Sequence, residues 1–221
     1  MKKNPRSFRK AASRSIRTAK IASAKEAIGT IEKNTDVFIL TYGQFSLIDA
    51  LVAILDQTGP ADVIISTWTA ADAHLQRSAA LLESAQIRSL RWIVDRSFET
   101  RQPEYCFHMR KLFGPGCIRA IRTHAKFMVV RSETHDIVVR TSMNLNENPR
   151  LENLEVSWDC GMADFFQSIA DELFDEVAEG ENKLDMPALA GIQETFNFEE
   201  IEADVIRRED LNECKTTHIV R

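Results

Sequence analysis

Apolar positions along this chain follow two rhythms, and each predicts a different element. Short runs rich in β-branched and aromatic residues at 36–41 (DVFILT), 61–67 (ADVIIST), 89–94 (SLRWIV), 117–122, 125–131, 137–141 and 154–158 read as strands. Between them the apolar residues recur at helical spacing. Ile16, Ala19, Ala24, Ile28 and Ile31 predict a helix ending near Gly29 or Asn34. Ser46 with Asp49 three residues on marks a second start, Leu47, Ile48, Leu51, Val52 and Leu55 form its face, and Gly59-Pro60 ends it. Thr69 with Asp72 opens another through about residue 84, and a further helix over 104–113 stops at Gly114-Pro115-Gly116. The last amphipathic stretch, 162–177, aligns Phe165, Phe166, Ile169, Leu173, Phe174 and Val177. Strands alternating with helices, then a strand cluster and a closing helix, predict an α/β or α+β sandwich on a mixed sheet.

Past Gly180 the pattern weakens to a loop around Pro187, a short acidic helix over 198–208 and a polar end. The chain therefore divides into a basic arm and helix at 1–34, a folded domain at 35–180 and an acidic tail at 181–221. With 221 residues and 44% hydrophobic content it is large enough to bury a core. Eight glycines and six prolines are too few for a linker-dominated chain. No run of eighteen apolar residues predicts a membrane span, and the basic first 25 residues lack the apolar stretch of a secretory signal, so a cytoplasmic protein without membrane contact is expected. Cys106, Cys117, Cys160 and Cys214 are scattered without a C-x-x-C pair, and Cys106-x-His108 falls short of a zinc pattern. Neither a disulfide framework nor a metal cofactor is expected.

Charge is unevenly placed. Residues 1–20 carry eight bases and no acid, residues 171–221 carry fifteen acids and five bases, and the segment between is close to neutral. A basic terminus commonly neutralises phosphates, and it equally serves as a solvated end that meets acidic surface. Composition leaves both open.

Chemistry concentrates at residues 123–130 (THAKFMVV) and 140–146 (RTSMNLN). Read on a strand, His124 and Lys126 are two apart and leave the same face, where an imidazole and an ammonium together suit an anion such as phosphate. Ser142 and Asn144 repeat the spacing at the end of the next strand, so a hairpin would bring the two polar pairs together. Arg119, Arg122, Arg131 and Arg140 flank these strands and offer a path for a polyanion, such as nucleic acid.

The two segments resemble the signature of the phospholipase D superfamily, H-x-K, then four residues and Asp, then G-S-x-N or a similar group after the next strand. His124 and Lys126 match the first part; Ser142 and Asn144 match the second, with Thr141 in place of glycine. Asn153-Leu154-Glu155 resembles the downstream Asn-x-Glu. The resemblance covers about residues 36–178. One position departs from it: Arg131 stands where the aspartate belongs.

The resemblance implies an α-β-α sandwich and a metal-free phosphodiesterase working through a phosphohistidine on His124. It implies further that Lys126 and Asn144 stabilise phosphoryl oxygens, that Ser142 hydrogen-bonds within the site, and that Glu155 orients the imidazole. The family's site uses two motifs, and no other histidine here is followed by a lysine two residues on, so a homodimer is expected to complete it. Small single-motif members resemble endonucleases more than lipid-cleaving enzymes, which makes DNA or RNA the expected substrate. A catalytically weak or inactive nucleic-acid-binding protein is the competing reading, to which Arg131 points, and a phospholipid-cleaving enzyme is a third.

Overall fold

The computed structural model describes residues 13–18, 23–147 and 149–177 of the chain, all within one compact unit, Arg6–Leu184. The acidic tail, its short helix and most of the basic arm lie outside the described residues.

Eight strands form one mixed sheet. Strands β1 (Ser13–Thr18), β2 (Thr35–Thr41), β3 (Ala61–Thr67), β4 (Ile87–Asp95), β5 (Ile118–Ile121), β6 (Phe127–Arg131), β7 (Asp136–Thr141) and β8 (Glu152–Trp158) stand in the order β1-β2-β8-β7-β6-β3-β4-β5. The β1–β2, β3–β4 and β4–β5 pairs are parallel. The four central pairings, β2–β8, β8–β7, β7–β6 and β6–β3, are antiparallel. Helices α1 (Ala24–Ile28), α2 (Leu47–Thr58), α3 (Asp72–Glu83), α4 (Ser97–Arg101) and α5 (Pro103–Phe113) connect the earlier strands, and α6 (Cys160–Glu176) follows β8.

Alternation along the strands sorts side chains onto two faces. Val63, Ile65, Met128, Val130, Ile137, Val139, Leu154 and Val156 join the main core, which also takes Leu47, Ile48, Leu51 and Leu55 of α2 and Met109 of α5. The alternate residues Ile64, Ile93, Val129 and Val138 are buried outside that cluster. On that second face Phe127 meets Phe166 of α6 at 4.8 Å between ring centroids. Burying both faces explains why residues 63–65 of β3 and 127–130 of β6 are apolar at consecutive rather than alternate positions.

The capping box at Ser46 is present: its Oγ accepts the Asp49 N–H at 3.4 Å, while Asp49 Oδ2 accepts the Ser46 N–H at 2.8 Å. Asp49 sits below the ordinary carboxylate range; burial opposes this, but the Ser46 hydrogen bonds and Arg77 outweigh it.

Three expectations change. Residues 13–18 form strand β1 rather than the start of a helix, and helix α1 spans only Ala24–Ile28. Pairing of the β1 backbone with β2 decides this against a weak helical period. The sheet therefore begins well before residue 35. Thr69 does not cap α3, whose N-cap is Ala71; its Oγ1 instead donates to Gln102 Oε1 at 2.5 Å. Finally, of the three successive strands read from residue 117 on, β6 and β7 pair with each other, while β5 lies at the sheet edge beyond β4 and β3 takes the other place beside β6.

Candidate active site

The strand directions bring the C-terminal ends of β2, β7, β3, β4 and β5 to the same edge as the N-terminal ends of β6 and β8. Both polar segments singled out in the sequence lie there. In open α/β sheets, ligands bind outside the carboxyl ends of strands.

His124 and Lys126 stand just before β6, in the connection from β5, and not on the strand itself. Side chains rather than a ladder organise this connection. Ser66 Oγ donates to the Ala125 carbonyl at 2.8 Å, the Ala125 N–H reaches Thr123 Oγ1 at 3.1 Å, and Asp95 Oδ2 accepts the Thr123 N–H at 2.9 Å. The two functional groups nevertheless meet. Lys126 Nζ lies 3.3 Å from His124 Nδ1 and donates to the His124 carbonyl at 3.1 Å. His124 is exposed and Lys126 half-buried. Burial pushes the Lys126 ammonium below the pKa of an exposed lysine, and the negative charge of Glu152 offsets part of that push.

Ser142 and Asn144 follow β7. The Ser142 hydroxyl donates to Glu152 Oε2 and accepts the Asn153 N–H at 3.0 Å. Two residues on, the chain crosses to the end of β3, where Leu145 N–H donates to Thr67 Oγ1 at 3.2 Å and Leu145 O accepts the Ala71 N–H at 2.8 Å. Asn144 is thereby fixed at the same strand end that holds Ala125. Its Oδ1 is buried without a hydrogen-bond partner among the described residues. An amide oxygen only accepts hydrogen bonds, so of the Asn144 side chain it is the NH2 group that can donate to an anion.

The carboxylate brought to these residues is Glu152 rather than Glu155. Glu155 faces Arg140 across the β7–β8 pair, with Oε2 at 2.9 Å from Nη2. The reason is alternation: Glu152 shares its face with Leu154 of the main core, and Glu155, one step on, takes the other face.

The four arginines separate in the same way. Arg119 is 7% exposed, donates to the carbonyls of Gly116, Ile118 and Phe174, and lies over the Phe174 ring at 4.3 Å. Arg140 is held by Glu155, Asp36 and Ser157. Arg131 closes the far end of the β6–β7 hairpin, paired with Asp136 at 2.8 Å and with Asp164 of α6 at 2.9 Å. These three are committed to the fold, which corrects the expectation of a continuous basic path. Arg122 alone of the four is exposed and makes no ion pair among the described residues.

Four residues of the site escaped sequence reasoning: Ser66, Thr67, Asp95 and Glu152. The available signal was polar residues ending otherwise apolar strands, Ser66-Thr67 on β3 and Asp95 on β4, all three buried. Also unforeseen is a stack beside the motif. Trp68 lies 5.8 Å from His124 between ring centroids, and the Arg101 guanidinium sits over the Trp68 ring at 3.6 Å.

Among the described residues no group of three or more His, Cys, Asp or Glu side chains is placed to hold a metal ion, and His108 is occupied by Asp72 at 2.9 Å. Nor, among them, is any helix long and apolar enough to cross a membrane.

No family model and no curated protein matches the sequence. Solved structures do match in part. Nuc from Salmonella typhimurium, a phospholipase D family member, is 15% identical over 65% of this chain and 97% of its own, with a TM-score of 0.47. NucT from Helicobacter pylori is 15% identical over 65% of this chain and 99% of its own, with a TM-score of 0.46. A polyphosphate kinase from Porphyromonas gingivalis is 14% identical over 72% of this chain and 30% of its own, with a TM-score of 0.43. The sheet order and its flanking helices make the chain an α/β sandwich on a mixed sheet.

Proposed function

We propose that this protein is a metal-independent phosphodiesterase that cleaves DNA or RNA through a phosphohistidine, in an active site completed by a second copy of the chain. The observation that carries the reading is the contact of Lys126 Nζ with His124 Nδ1 in the connection just before β6. Around it stand Ser142, Glu152 and Asn144, whose NH2 group is the donor an anion needs. One cation, one imidazole, a hydroxyl and an amide suit an anionic diester better than a metal ion.

The Lys126 ammonium can only donate, so its contact with Nδ1 belongs to the His124 tautomer with the proton on Nε2; for attack the proton moves to Nδ1, which gives up that contact, and Nε2 becomes the nitrogen that meets substrate. Its lone pair forms the N–P bond in line with the leaving oxygen, the P–O bond breaks, and His124 of the partner subunit gives that oxygen its proton. Water then attacks the phosphohistidine, losing a proton to the same imidazole, and His124 is released. Lys126 stabilises charge on the nonbridging oxygens, a role typically worth about 3 kcal/mol. Asn144 holds the phosphoryl group, and Ser142 with Glu152 keeps this side of the site in place. Glu155 acts only at a distance, by fixing β7 against β8 through Arg140.

Two further features support a homodimer. The chain has one motif, and two of the large apolar side chains exposed among the described residues, Tyr42 and Leu151, flank the ends of β2 and β8 at the motif edge. Such side chains at one edge suit burial against a second copy.

The test is cleavage of plasmid and single-stranded oligonucleotide in excess EDTA, beside His124→Ala. Chelation-resistant cleavage that vanishes in a folded variant supports the reading. Absence of cleavage by an intact dimer sinks it and favours the inactive nucleic-acid-binding protein, for which Arg131 in the aspartate position is the specific observation. Release of choline from phosphatidylcholine without plasmid nicking would favour the lipid enzyme.

A further inference from the structure

We infer that Arg101, held flat on Trp68, is a subsite for the phosphate next to the one at His124, so that the site takes a strand of linked phosphodiesters rather than an isolated diester. The inference rests on the phosphodiesterase reading and names the substrate class for it.

Arg101 is exposed yet pinned. Its Nε donates to Ser97 Oγ at 3.0 Å, its Nη2 to the Trp68 carbonyl at 3.0 Å, and its guanidinium lies 3.6 Å from the Trp68 ring centroid. No carboxylate neutralises it among the described residues, whereas Arg77, Arg88, Arg91, Arg110, Arg131 and Arg140 each have one. Nη1 makes no hydrogen bond among those residues. An exposed arginine ordinarily loses rotamer freedom when it binds; here the fold has already fixed it, so a phosphate meets a preorganised donor.

The same supports hold this cation and the nucleophile. Asp95 accepts hydrogen bonds from Ser97, which positions Arg101, and from Thr123, which starts the His124 loop. Ser66 holds Ala125, and Trp68, two residues on, is in contact with both Arg101 and His124. Contact with one and the same ring keeps Arg101 and His124 within reach of neighbouring phosphates on a strand. Beside Arg101 opens a cavity of about 320 Å³ lined by Arg101, Gln102, Pro103, Glu104 and Tyr105, with room for a sugar-phosphate unit. Arg122, exposed and unpaired next to Thr123, adds a second cation on the path.

The experiment compares wild type, Arg101→Gln and Arg101→Lys on a single-stranded oligonucleotide and on bis(p-nitrophenyl) phosphate. Arg101→Gln should lower kcat/KM on the oligonucleotide about tenfold or more through KM. It should also reduce the slope of log affinity against log salt by about one and leave the small diester within about twofold. Arg101→Lys should recover part of the loss. An equal loss on both substrates would make Arg101 a support for His124 instead, and no loss on either would remove it from binding; both overturn the inference. Should wild type cleave neither substrate, the phosphodiesterase reading fails, and anisotropy of the labelled oligonucleotide decides separately. Weaker, less salt-dependent binding by Arg101→Gln sustains the subsite, and equal affinities, or no binding by either protein, overturn it.

Discussion

Asp95, the last residue of β4, accepts the backbone N–H of Thr123 at 2.9 Å and so fixes the loop that carries His124. The other carboxylate oxygen accepts the N–H of Ser97 at 2.9 Å and also its hydroxyl. Asp95→Ala leaves these donors without their acceptor in a buried corner. A loss of about 2–3 kcal/mol is expected by chemical denaturation. Turnover should fall more than KM rises, since His124, the proposed nucleophile, is displaced. An unchanged kcat would show that the loop holds itself.

The Lys126–Glu152 relationship gives a pH signature. Burial lowers the Lys126 pKa and Glu152 opposes it. The ammonium is the form that stabilises a phosphoryl oxygen, so activity should decline with rising pH earlier than an exposed lysine would dictate. Glu152→Gln removes the opposing charge and should move that alkaline limb to still lower pH. The linkage to stability runs the other way. A lysine whose folded pKa is depressed disfavours the fold while charged, so its contribution improves as pH rises from the folded to the unfolded pKa. As pH rises through this range, kcat/KM should therefore fall while the denaturation midpoint improves, and an alkaline limb indifferent to Glu152 would count against the coupling.

Arg131→Asp would restore the aspartate of the phospholipase D signature. The structure predicts no gain. Residue 131 stands at the far end of β6 from Lys126, between Asp136 and Asp164, and a third carboxylate there replaces two ion pairs with repulsion. Stability should fall by about 1–2 kcal/mol, with these pairs partly exposed and discounted for solvent. Cleavage should not increase; a rise of tenfold would mean that residue 131 reaches the site.

Arg119 and Arg122 should separate cleanly. Arg119→Ala removes three carbonyl partners and a ring contact from a buried position, and should cost about 2–3 kcal/mol of stability. Its effect on oligonucleotide binding by the folded protein should be small. Arg122→Ala should leave the denaturation midpoint unchanged while weakening binding in a salt-dependent way.

What the sequence determined by itself was local or periodic. The apolar runs fixed β2, β3 and β4 to within a few residues, the Ser46–Asp49 box and Gly59 bounded α2, and Gly114 ended α5. The H-x-K and S-x-N spacings picked out the segments that meet at the sheet edge, because each motif is carried within three residues. Tertiary structure decided what depends on partners far away in the chain. Strand β1 exists through its pairing with β2, where its own period favoured helix. Arg119, Arg131 and Arg140 look alike in sequence to Arg101 and Arg122; only the carboxylates and carbonyls folded around the first three make them structural. Ser66 grips residue 125 and Asp95 grips residue 123 across sequence gaps that no motif spans. The choice of Glu152 over Glu155 followed from which face of β8 each side chain takes, and that face is set by the sheet as a whole.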